Sequence, residues 1–232
     1  MYRLHIANKN YSSWSLRPWL LLRELGIPFE ERLTPFAAEP AAVHAALRAF
    51  SPTGKVPCLC DGDMTIWDSL AIAEYLAERH VGVWPSDPHA RAWARCATAE
   101  MHAGFAALRA CCPMNCGVRV RLAEPLPAAL HADLQRLDEL WNDGLARFGG
   151  PFLAGAGFGA VDAFFAPVAL RIQSYDPPLG AAALAYATRL RELPSMRRWY
   201  AEALQETWRD PSHEMDTCRH GKLLEDLRAV PG

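Results

Sequence analysis

The loop after the first predicted strand carries the densest group of side chains that could do chemistry. Tyr11, Ser12, Ser13 and Ser15 place four hydroxyl groups within five residues, just where helical spacing begins. A hydroxyl at a helix start can donate a hydrogen bond to a bound thiol and stabilise its thiolate, because hydrogen bonds to the charged form and the positive helix end both lower the thiol pKa. Serine is also a preferred helix cap, so a purely structural role is the alternative.

A second informative stretch covers residues 51–76. Pro57 has no backbone donor and can therefore only begin a strand or lie at a sheet edge, and the Val56-Pro57 bond is a candidate for the cis form. Asp68 or Ser69 can cap the helix that follows. The free backbone amides of such a helix start, beside a serine hydroxyl, form a site for a small carboxylate. This stretch therefore predicts a binding feature as well as a turn.

The first part of the chain alternates between strand and helix patterns. Asp61-Gly62 is a strong signal for a tight hairpin between two short strands. The predicted order is β-α-β-α-β-β-α, which indicates an α/β, thioredoxin-like domain with helices packed on a mixed sheet. The predicted elements are the strands Tyr2–Ala7 and Phe29–Leu33, the hairpin Cys58–Ile66, and the helices Leu16–Leu25, Glu39–Ala49 and Asp68–His80.

The remainder of the chain has helical spacing of its apolar residues and predicts an all-α second domain. We expect a first domain over residues 1–82, a linker over 83–88 that is rich in proline, and the helical domain over 89–232. From Trp208 onward no apolar stripe appears until Leu223–Leu227, and no structure is assigned there.

The run from Val56-Pro57 to Asp68-Ser69 resembles the glutathione-binding half of the glutathione transferase family. The resemblance extends more loosely over the whole chain. It implies an enzyme that uses glutathione as co-substrate and needs no metal. It also implies that Val56 pairs through its backbone with the cysteinyl part, next to Pro57, and that Asp68 and Ser69 hold the γ-glutamyl amine and carboxylate. Lys55 would approach the glycyl carboxylate.

The hydroxyl-rich loop looks like the serine-type loop of the zeta class, which implies that Ser12 is the catalytic residue. Counting back from Arg17 as in the theta class points instead to Ser13, and Tyr11 is the third candidate. Beta-class enzymes have a cysteine where this chain has Trp14, so a cysteine mechanism is not expected. Arg17 itself is expected to be a structural ion-pair partner.

The resemblance implies that the glutathione thiolate attacks a small, apolar electrophile, by conjugation, isomerisation or dehalogenation. The acceptor pocket is expected between the Tyr11–Trp14 loop and the Met101–Cys116 region. It further implies a homodimer with a role in detoxification. Two alternatives stay open: a zeta-like isomerase that acts on a maleyl-type substrate, and a binding or regulatory module that has lost turnover.

Five cysteines invite a metal or redox interpretation that their spacing does not favour. Cys111, Cys112 and Cys116 have no second pair or suitably spaced histidine for zinc, so core packing is expected, with pocket lining as the alternative. Cys58 and Cys60 alternate along a strand and share one face, which again favours packing.

Two further residues have structural or peripheral expectations. His44 lies near the place where some relatives carry a glycyl-contacting residue, although a surface histidine is the simpler interpretation. Asp162 stands where the family has a capping box, with Gly159 in place of the hydroxyl residue. Glycine is a tolerated helix cap, so Asp162 is expected to support the helix start and not to act in catalysis.

Composition excludes several functional classes. The 232 residues are 51% apolar and 22% charged, with a formal net charge of −2, which gives no reason to expect nucleic acid or an anionic membrane as partner. The start of the chain lacks the apolar core of a signal peptide, and no apolar run is long enough to cross a bilayer. Seven cysteines, an odd number, then favour reduced thiols and a cytoplasmic location.

Overall fold

One four-stranded sheet organises the first eighty residues. The computed structural model describes residues 1–36 and 40–230. The strands are β1 (Tyr2–Ile6), β2 (Phe29–Leu33), β3 (Cys58–Asp61) and β4 (Met64–Trp67). They are ordered β2-β1-β3-β4, with β1 parallel to β2 and all other pairs antiparallel. This is the mixed sheet that the sequence predicts.

Three helices accompany the sheet: α1 (Ser13–Glu24), α2 (Pro40–Arg48) and α3 (Ser69–Ala77). Helices α1 and α3 pack on each other, and the apolar residues of α1 from Leu16 to Leu22 are fully buried. The α/β thioredoxin-like order predicted for this part of the chain is confirmed. Glu39, the predicted start of the second helix, lies outside the described residues.

The tight connections follow the predicted turn chemistry closely. The Val56–Pro57 peptide bond is cis, as the sequence suggests, and it leads directly into β3. The hairpin between β3 and β4 turns at Gly62 and Asp63, one residue later than the Asp61-Gly62 pair. Gly62 has a φ of 62°, a left-handed conformation that glycine adopts without the steric cost that a side chain imposes.

The rest of the chain is predominantly helical, as predicted. Its helices are α4 (Pro88–Ala103), α5 (Ala106–Cys111), α6 (Ala128–Phe148), α7 (Ala160–Tyr175), α8 (Ala181–Glu192), α9 (Pro194–Gln205) and α10 (Pro211–Thr217). Helix α7 is the centre of the molecule: it packs against α1, α4 and α8, and all of its residues except Gln173 are buried.

A two-stranded antiparallel sheet, which the sequence patterns did not predict, adds to this helical region. It pairs β5 (Val118–Leu122) with β6 (Gly221–Asp226). The physical signal was present in β5, where buried Val118 and Val120 alternate with more exposed arginines in the period of a half-buried strand. The pairing joins two segments of the mainly helical region that lie about a hundred residues apart.

Asp162 supports the start of α7, as expected. Its Oδ2 accepts a hydrogen bond from the Gly159 N–H (3.0 Å), and its Oδ1 accepts from the Leu153 N–H (3.1 Å) and from the Tyr186 hydroxyl (2.7 Å). The carboxyl group is fully buried. Burial raises the pKa of Asp162 to about 6, although the hydrogen bonds act in the opposite direction.

Candidate functional site

Two adjoining cavities of about 450 Å³ each lie beside the start of α1 and form one cleft. Trp14, Lys55 and Val56 line both. The first, called the Ser12 cavity, is further lined by Tyr11, Ser12, Phe36, Val43, His44, Leu47, Gly54, Asp210, Ser212 and His213. The second, called the Ser69 cavity, is further lined by Thr53, Pro57, Trp67, Asp68, Ser69 and His102. Every site residue predicted from the sequence lines this cleft, with the exception of Ser13.

The loop between β1 and α1 is held in place by the end of α9. Glu206 accepts hydrogen bonds from the backbone N–H groups of Lys9 (2.6 Å) and Asn10 (3.1 Å). Trp199 donates its indole N–H to the Lys9 carbonyl (3.0 Å). Burial raises the pKa of Glu206, against the hydrogen bonds from the loop. Because both oxygens of one buried carboxylate bind the loop, the backbone that presents Ser12 has a defined position.

Ser12 caps α1 and borders the Ser12 cavity. Its Oγ accepts a hydrogen bond from the Ser15 N–H (3.3 Å) and donates one to the Ser15 Oγ (2.7 Å). Ser15 Oγ in turn accepts from the Ala7 N–H (3.2 Å). Since a hydroxyl can turn about its C–O bond, a ligand anion in the cavity can attract the Ser12 proton away from Ser15, while the Ser12 oxygen keeps its hydrogen bond from the Ser15 N–H. Capping and ligand binding are therefore compatible in this residue.

Ser13 and Tyr11, the two other candidates, are placed differently. Ser13 is the first residue of α1, is buried, and does not line the cleft. Tyr11 contributes its ring to the Ser12 cavity, but its hydroxyl donates to Glu214 Oε1 (2.5 Å) and accepts from Arg228 (3.3 Å). Burial and the Glu214 carboxylate raise the pKa of Tyr11. Ser12 is thus the loop hydroxyl that both faces the cleft and has a donor behind it.

The Ser69 cavity ends at the start of α3. Asp68 has a φ of 74°, unusual for a residue with a side chain, and its Oδ1 accepts from the Leu70 N–H (2.8 Å). The buried Ser69 Oγ has no hydrogen-bond partner among the described residues. Such a group costs free energy until a ligand satisfies it. With the helix start behind it, Ser69 is suited to bind a carboxylate.

Lys55 and His44 are the basic residues that line the Ser12 cavity. Lys55 is exposed and stands between the two cavities, and His44 projects from α2 against Gly54. A Cβ added to Gly54 would lie 2.5 Å from His44 Nε2, and Gly54 has a φ of 63°, so this turn requires glycine. His44 is therefore part of the wall of the cleft and not an isolated surface histidine.

The Met101–Cys116 stretch contributes less to the cleft than the family resemblance implies. Of the Met101–Cys116 stretch, His102 alone lines either cavity in the described part of the chain, and it does so in the Ser69 cavity. The wall opposite Ser12 comes instead from Asp210, Ser212 and His213, which sequence reasoning missed. The available signal was Asp210-Pro211, since an N-cap aspartate followed by proline is typical of a helix start.

The remaining side chains singled out in the sequence have structural roles. Cys111, Cys112 and Cys116 are buried in the core and do not line the cleft. Burial raises the pKa of Cys112 and that of Cys58 to about 12, so neither thiol is activated. Cys60 is likewise buried.

The expectation that Arg17 is an ion-pair partner is wrong, since no described carboxylate lies within salt-bridge distance of it. Its fully buried guanidinium lies instead between the rings of Trp14 (4.2 Å to the centroid) and Phe164 (4.7 Å). Burial lowers the pKa of Arg17 well below its usual value. Planar guanidinium groups stack favourably on aromatic faces, so Arg17 supports the Trp14 ring that lines both cavities.

Neither a metal centre nor a membrane segment is found in residues 1–36 and 40–230. No three His, Cys, Asp or Glu side chains there are grouped to hold a metal ion. No helix within those ranges combines the length and apolar character that a membrane crossing requires.

Two family models and several known proteins are similar to this chain. The model of the glutathione S-transferase N-terminal domain matches residues 11–79, and the model of the C-terminal domain matches residues 120–202. Dichloromethane dehalogenase of Methylorubrum extorquens is 37% identical over 59 residues, which are 25% of this chain and 20% of the dehalogenase. The glutathione S-transferase-like protein OpS6 of Beauveria bassiana is 27% identical over 214 residues, 84% of this chain and 93% of that protein.

Several solved structures have a similar fold over most of the chain. A glutathione transferase homolog from Burkholderia with bound glutathione has a TM-score of 0.66 at 24% identity, over 87% of this chain and 97% of that one. The theta-class enzyme of Xanthomonas axonopodis pv. citri, with glutathione bound, gives 0.60 at 25%, over 86% and 96%. Maleylacetoacetate isomerase from Methylobacterium extorquens gives 0.62 at 21%, over 85% and 95%.

The two domain models, matched in the order and at the places where the sheet and the helical region lie, establish that the chain belongs to the glutathione S-transferase family.

Proposed function

We propose that the protein is a glutathione transferase, in which Ser12 holds the sulfur of bound glutathione as a thiolate for attack on a small, apolar electrophile. One observation carries the proposal. The Ser12 hydroxyl and the unpartnered Ser69 hydroxyl stand at two helix starts in one continuous cleft, with Val56 shared by both of its cavities. A tripeptide with a carboxylate at one end and a thiol in the middle matches that layout.

The binding roles follow from the groups that the cleft leaves free. Ser69 and the start of α3 would hold the γ-glutamyl carboxylate, and Asp68 the amine. The backbone N–H and C=O of Val56, ahead of Pro57, make no hydrogen bond within the described residues, so they can pair with the cysteinyl part of the ligand. Lys55, at the junction of the cavities, would approach the glycyl carboxylate.

The chemical step needs the thiol in its anionic form. A free thiol has a pKa of about 8.5, and lowering it by two units corresponds to roughly 2.7 kcal/mol in favour of the thiolate. The Ser12 hydroxyl, with Ser15 behind it and the α1 helix start beside it, supplies a hydrogen bond and a positive end. The thiolate sulfur then forms the new bond to the electrophilic carbon, and the thiol proton has already passed to solvent.

Several reactions share this thiolate, and the relatives support more than one. The short match to dichloromethane dehalogenase supports halide displacement as an alternative to conjugation. The resemblance of the Ser12-Ser13 loop to the zeta class supports the isomerase alternative. Some transferase-fold proteins act as binding modules without turnover, and such a non-catalytic role is the remaining alternative.

Isothermal titration with reduced glutathione, followed by ultraviolet absorbance of the bound thiolate near neutral pH, tests the proposal. Wild-type protein should bind and show the thiolate signal. Ser12→Ala should still bind within a few-fold but lose most of the signal and about 100-fold in turnover. Ser13→Ala is the matched control, since that hydroxyl does not line the cleft. Normal turnover in both variants would overturn the serine assignment.

We also propose a homodimeric, cytoplasmic protein with a role in detoxification, on the strength of the family resemblance. The division into residues 1–82, a linker over 83–88 and residues 89–232 belongs to the same proposal. Sedimentation equilibrium of the purified protein tests the dimer, because a mass of one chain at micromolar concentration would contradict it.

A further inference from the structure

The Ser12 cavity contains a second titratable group that the thiolate mechanism does not use. His213 of α10 lines this cavity, and its Nδ1 lies 2.5 Å from Asp210 Oδ2. The same Asp210 oxygen accepts from the His213 backbone N–H (3.1 Å). A carboxylate in this position holds the proton on Nδ1 and leaves Nε2 as the nitrogen that exchanges protons. This is the pairing that orients a general acid or base in many enzymes.

Aromatic rings fix the plane of this imidazole. The His213 ring stacks on Tyr11, with centroids 5.0 Å apart and planes 24° from parallel, and on Phe36, at 5.3 Å and 11°. Tyr11 is itself held by its hydrogen bond to Glu214. Since Tyr11 directly precedes Ser12, the stack ties the imidazole to the loop that presents the proposed thiolate.

Nε2 of His213 is left free for a ligand. Within the described residues it forms no hydrogen bond. It is also not one of the buried atoms without a partner, so the nitrogen is accessible. The ring borders a cavity whose other polar residues are Ser12, His44, Lys55 and Ser212. A second molecule in this cavity would meet the thiolate on one side and the imidazole on another.

We propose that His213, oriented by Asp210, is a general acid that makes α,β-unsaturated carbonyl compounds the preferred acceptors; this rests on the proposed function. The thiolate sulfur of glutathione bonds to the β-carbon, and the carbon–carbon π pair moves towards the carbonyl to give an enolate. Protonated His213 donates the Nε2 proton to the enolate, which completes the saturated adduct. Neutral His213 then takes a proton from solvent, so no oxidant, reductant or other reactant is needed.

Halide displacement offers the contrasting reaction. There the sulfur bonds to carbon while the halide leaves with the bonding pair, and no proton is transferred to the product. A general acid therefore accelerates addition to an enone and has no proton to give in the displacement. This difference separates a chemical role of His213 from a role in shaping the cavity.

The variants follow from the contacts. His213→Phe keeps an aromatic ring in the stack and removes the proton, and Asp210→Asn keeps a helix cap and removes the charge that orients the ring. His220→Gln is the matched control: His220 is also a histidine of the C-terminal segment, but it does not line the cleft.

The experiment measures kcat/KM for an enone and for an alkyl iodide, together with the thiolate absorbance of bound glutathione. In His213→Phe we expect the enone-to-iodide ratio of kcat/KM to fall about 100-fold, with the thiolate signal present, and in Asp210→Asn about tenfold. His220→Gln should keep the wild-type ratio. An unchanged enone-to-iodide ratio in His213→Phe, or no enone turnover by the wild type, overturns the role of His213 and leaves the proposed function standing. A wild type without the thiolate signal overturns the proposed function and the inference with it.

The pH profile is a readout that a structural role would not move. Wild-type kcat/KM for the enone should rise as the thiolate forms and fall as the general acid loses its proton. His213→Phe should lose the falling limb. The charged or titratable residues around His213 are Asp210 and Glu214 at the cap and in the body of its own helix, Tyr11 stacked on its ring, and His44 and Lys55, which line the same cavity. His44→Gln is therefore measured in parallel, and loss of the falling limb in that variant would overturn the assignment to His213.

Discussion

Three hydroxyl and amide groups in series control the candidate nucleophile site. The Ala7 N–H donates to Ser15 Oγ, and the Ser12 hydroxyl donates to the same oxygen (2.7 Å). The direction of the second hydrogen bond decides whether the Ser12 proton points at Ser15 or into the cavity. A ligand anion favours the second arrangement, because Ser15 can then donate to Ser12 while Ser12 donates to the ligand. Ser15 is therefore a positioning residue that does not itself meet the ligand.

Replacing Ser15 by alanine should raise the pKa of bound glutathione by about one unit. Losing one net hydrogen bond costs about 0.5–1.5 kcal/mol, and one pKa unit corresponds to about 1.4 kcal/mol. A pH titration of the thiolate absorbance of the complex measures this shift. Ser13→Ala, a neighbouring serine outside the cleft, is the control, and a Ser15→Ala complex with the wild-type pKa would contradict the relay.

Ser69→Ala should separate ligand binding from stability. The Ser69 hydroxyl is buried without a described partner. Its removal should therefore leave the unfolding temperature of the ligand-free protein unchanged or raise it by about 2–4 °C. Glutathione affinity should fall about tenfold, because a hydrogen bond to a charged carboxylate contributes about 1.5 kcal/mol or more. Thermal unfolding with and without glutathione tests both. A less stable ligand-free variant would show that the hydroxyl already has a partner.

At this scale the sequence predicts which segments line the cleft better than which hydroxyl faces it. The group of hydroxyls before α1 and the Asp68-Ser69 pair were both visible from residue type and spacing. The choice between Ser12 and Ser13 depends on where α1 begins, since one step along a helix turns a side chain by about 100°. Tyr11 differs from them because of Glu214, a partner two hundred residues away that no local pattern reveals.

Among the elements, α7 has a start that is supported by one buried side chain, Asp162. Asp162 has a pKa of about 6 in the folded chain, whereas an exposed carboxyl titrates near 4. The folded state therefore binds this proton more tightly than the unfolded chain does. As the pH rises from about 4 to 6, this group should lower the free energy of unfolding by about 3 kcal/mol in total.

Urea denaturation of the wild type and of Asp162→Asn at pH 4, 5, 6 and 7 checks this dependence. Asparagine can keep some of the hydrogen bonds and does not titrate, so the difference between the two proteins isolates Asp162 from other carboxyl groups such as Glu206. The variant should be less stable overall, and the wild type should lose its advantage as the pH rises. A constant difference across the range would contradict the raised pKa.

The elements themselves were predictable where local patterns sufficed. Proline at the start of β3, glycine in the hairpin and the Gly159–Asp162 cap all act within a few residues. The pair of β5 and β6 escaped prediction because neither strand is stable alone: the alternating pattern of Val118–Leu122 becomes a strand only when Gly221–Asp226 pairs with it. A similar pattern without that partner would have been compatible with a loop.

For the whole molecule, Arg228 fastens the C-terminal segment to Asn115 and to the Tyr11 hydroxyl of the loop before α1. Its side chain is nearly buried and donates to Glu214 (2.9 Å), to Asp226 (2.7 Å) and to Asn115 (3.3 Å). The two carboxylates hold the pKa of Arg228 above its usual value. Through Glu214, the same network reaches the hydroxyl of Tyr11 and hence the wall of the Ser12 cavity.

Arg228→Ala should loosen residues 210–226 and destabilise the protein by about 1.5–3 kcal/mol, because it removes charge-assisted hydrogen bonds to the half-buried Glu214 and the exposed Asp226. Hydrogen exchange measured by mass spectrometry should show faster exchange in α10 and β6, with little change in β1 and β3. The exposed Arg219–Asp216 pair provides the control, since Arg219→Ala should cost less than about 1 kcal/mol. Equal protection of α10 in the two variants would contradict the fastening role.

Long-range contacts also hold the part of the cleft that the sequence did not predict. The family resemblance pointed to Met101–Cys116 for the acceptor pocket, and of that stretch His102 alone lines either cavity in the described part of the chain. Asp210, Ser212 and His213 line the Ser12 cavity, and their segment is held by the pairing of β5 with β6 and by the hydrogen bonds of Arg228. The strand pairing and the Arg228–Asn115 hydrogen bond each join residues about a hundred positions apart, and neither has a motif that can be recognised in one sequence.

The position of Trp14 makes it an intrinsic fluorescence probe of the cleft. Its indole borders both cavities, carries the Arg17 guanidinium on one face and meets the His102 ring edge-on at 5.2 Å. Indole emission responds to the polarity around the ring and is quenched by nearby protonated imidazole or thiolate. Occupation of either cavity should therefore change the intensity or colour of Trp14 fluorescence. The difference spectrum against Trp14→Phe would isolate this signal from the other seven tryptophans of the chain. One fluorophore could then follow the arrival of both ligands in real time.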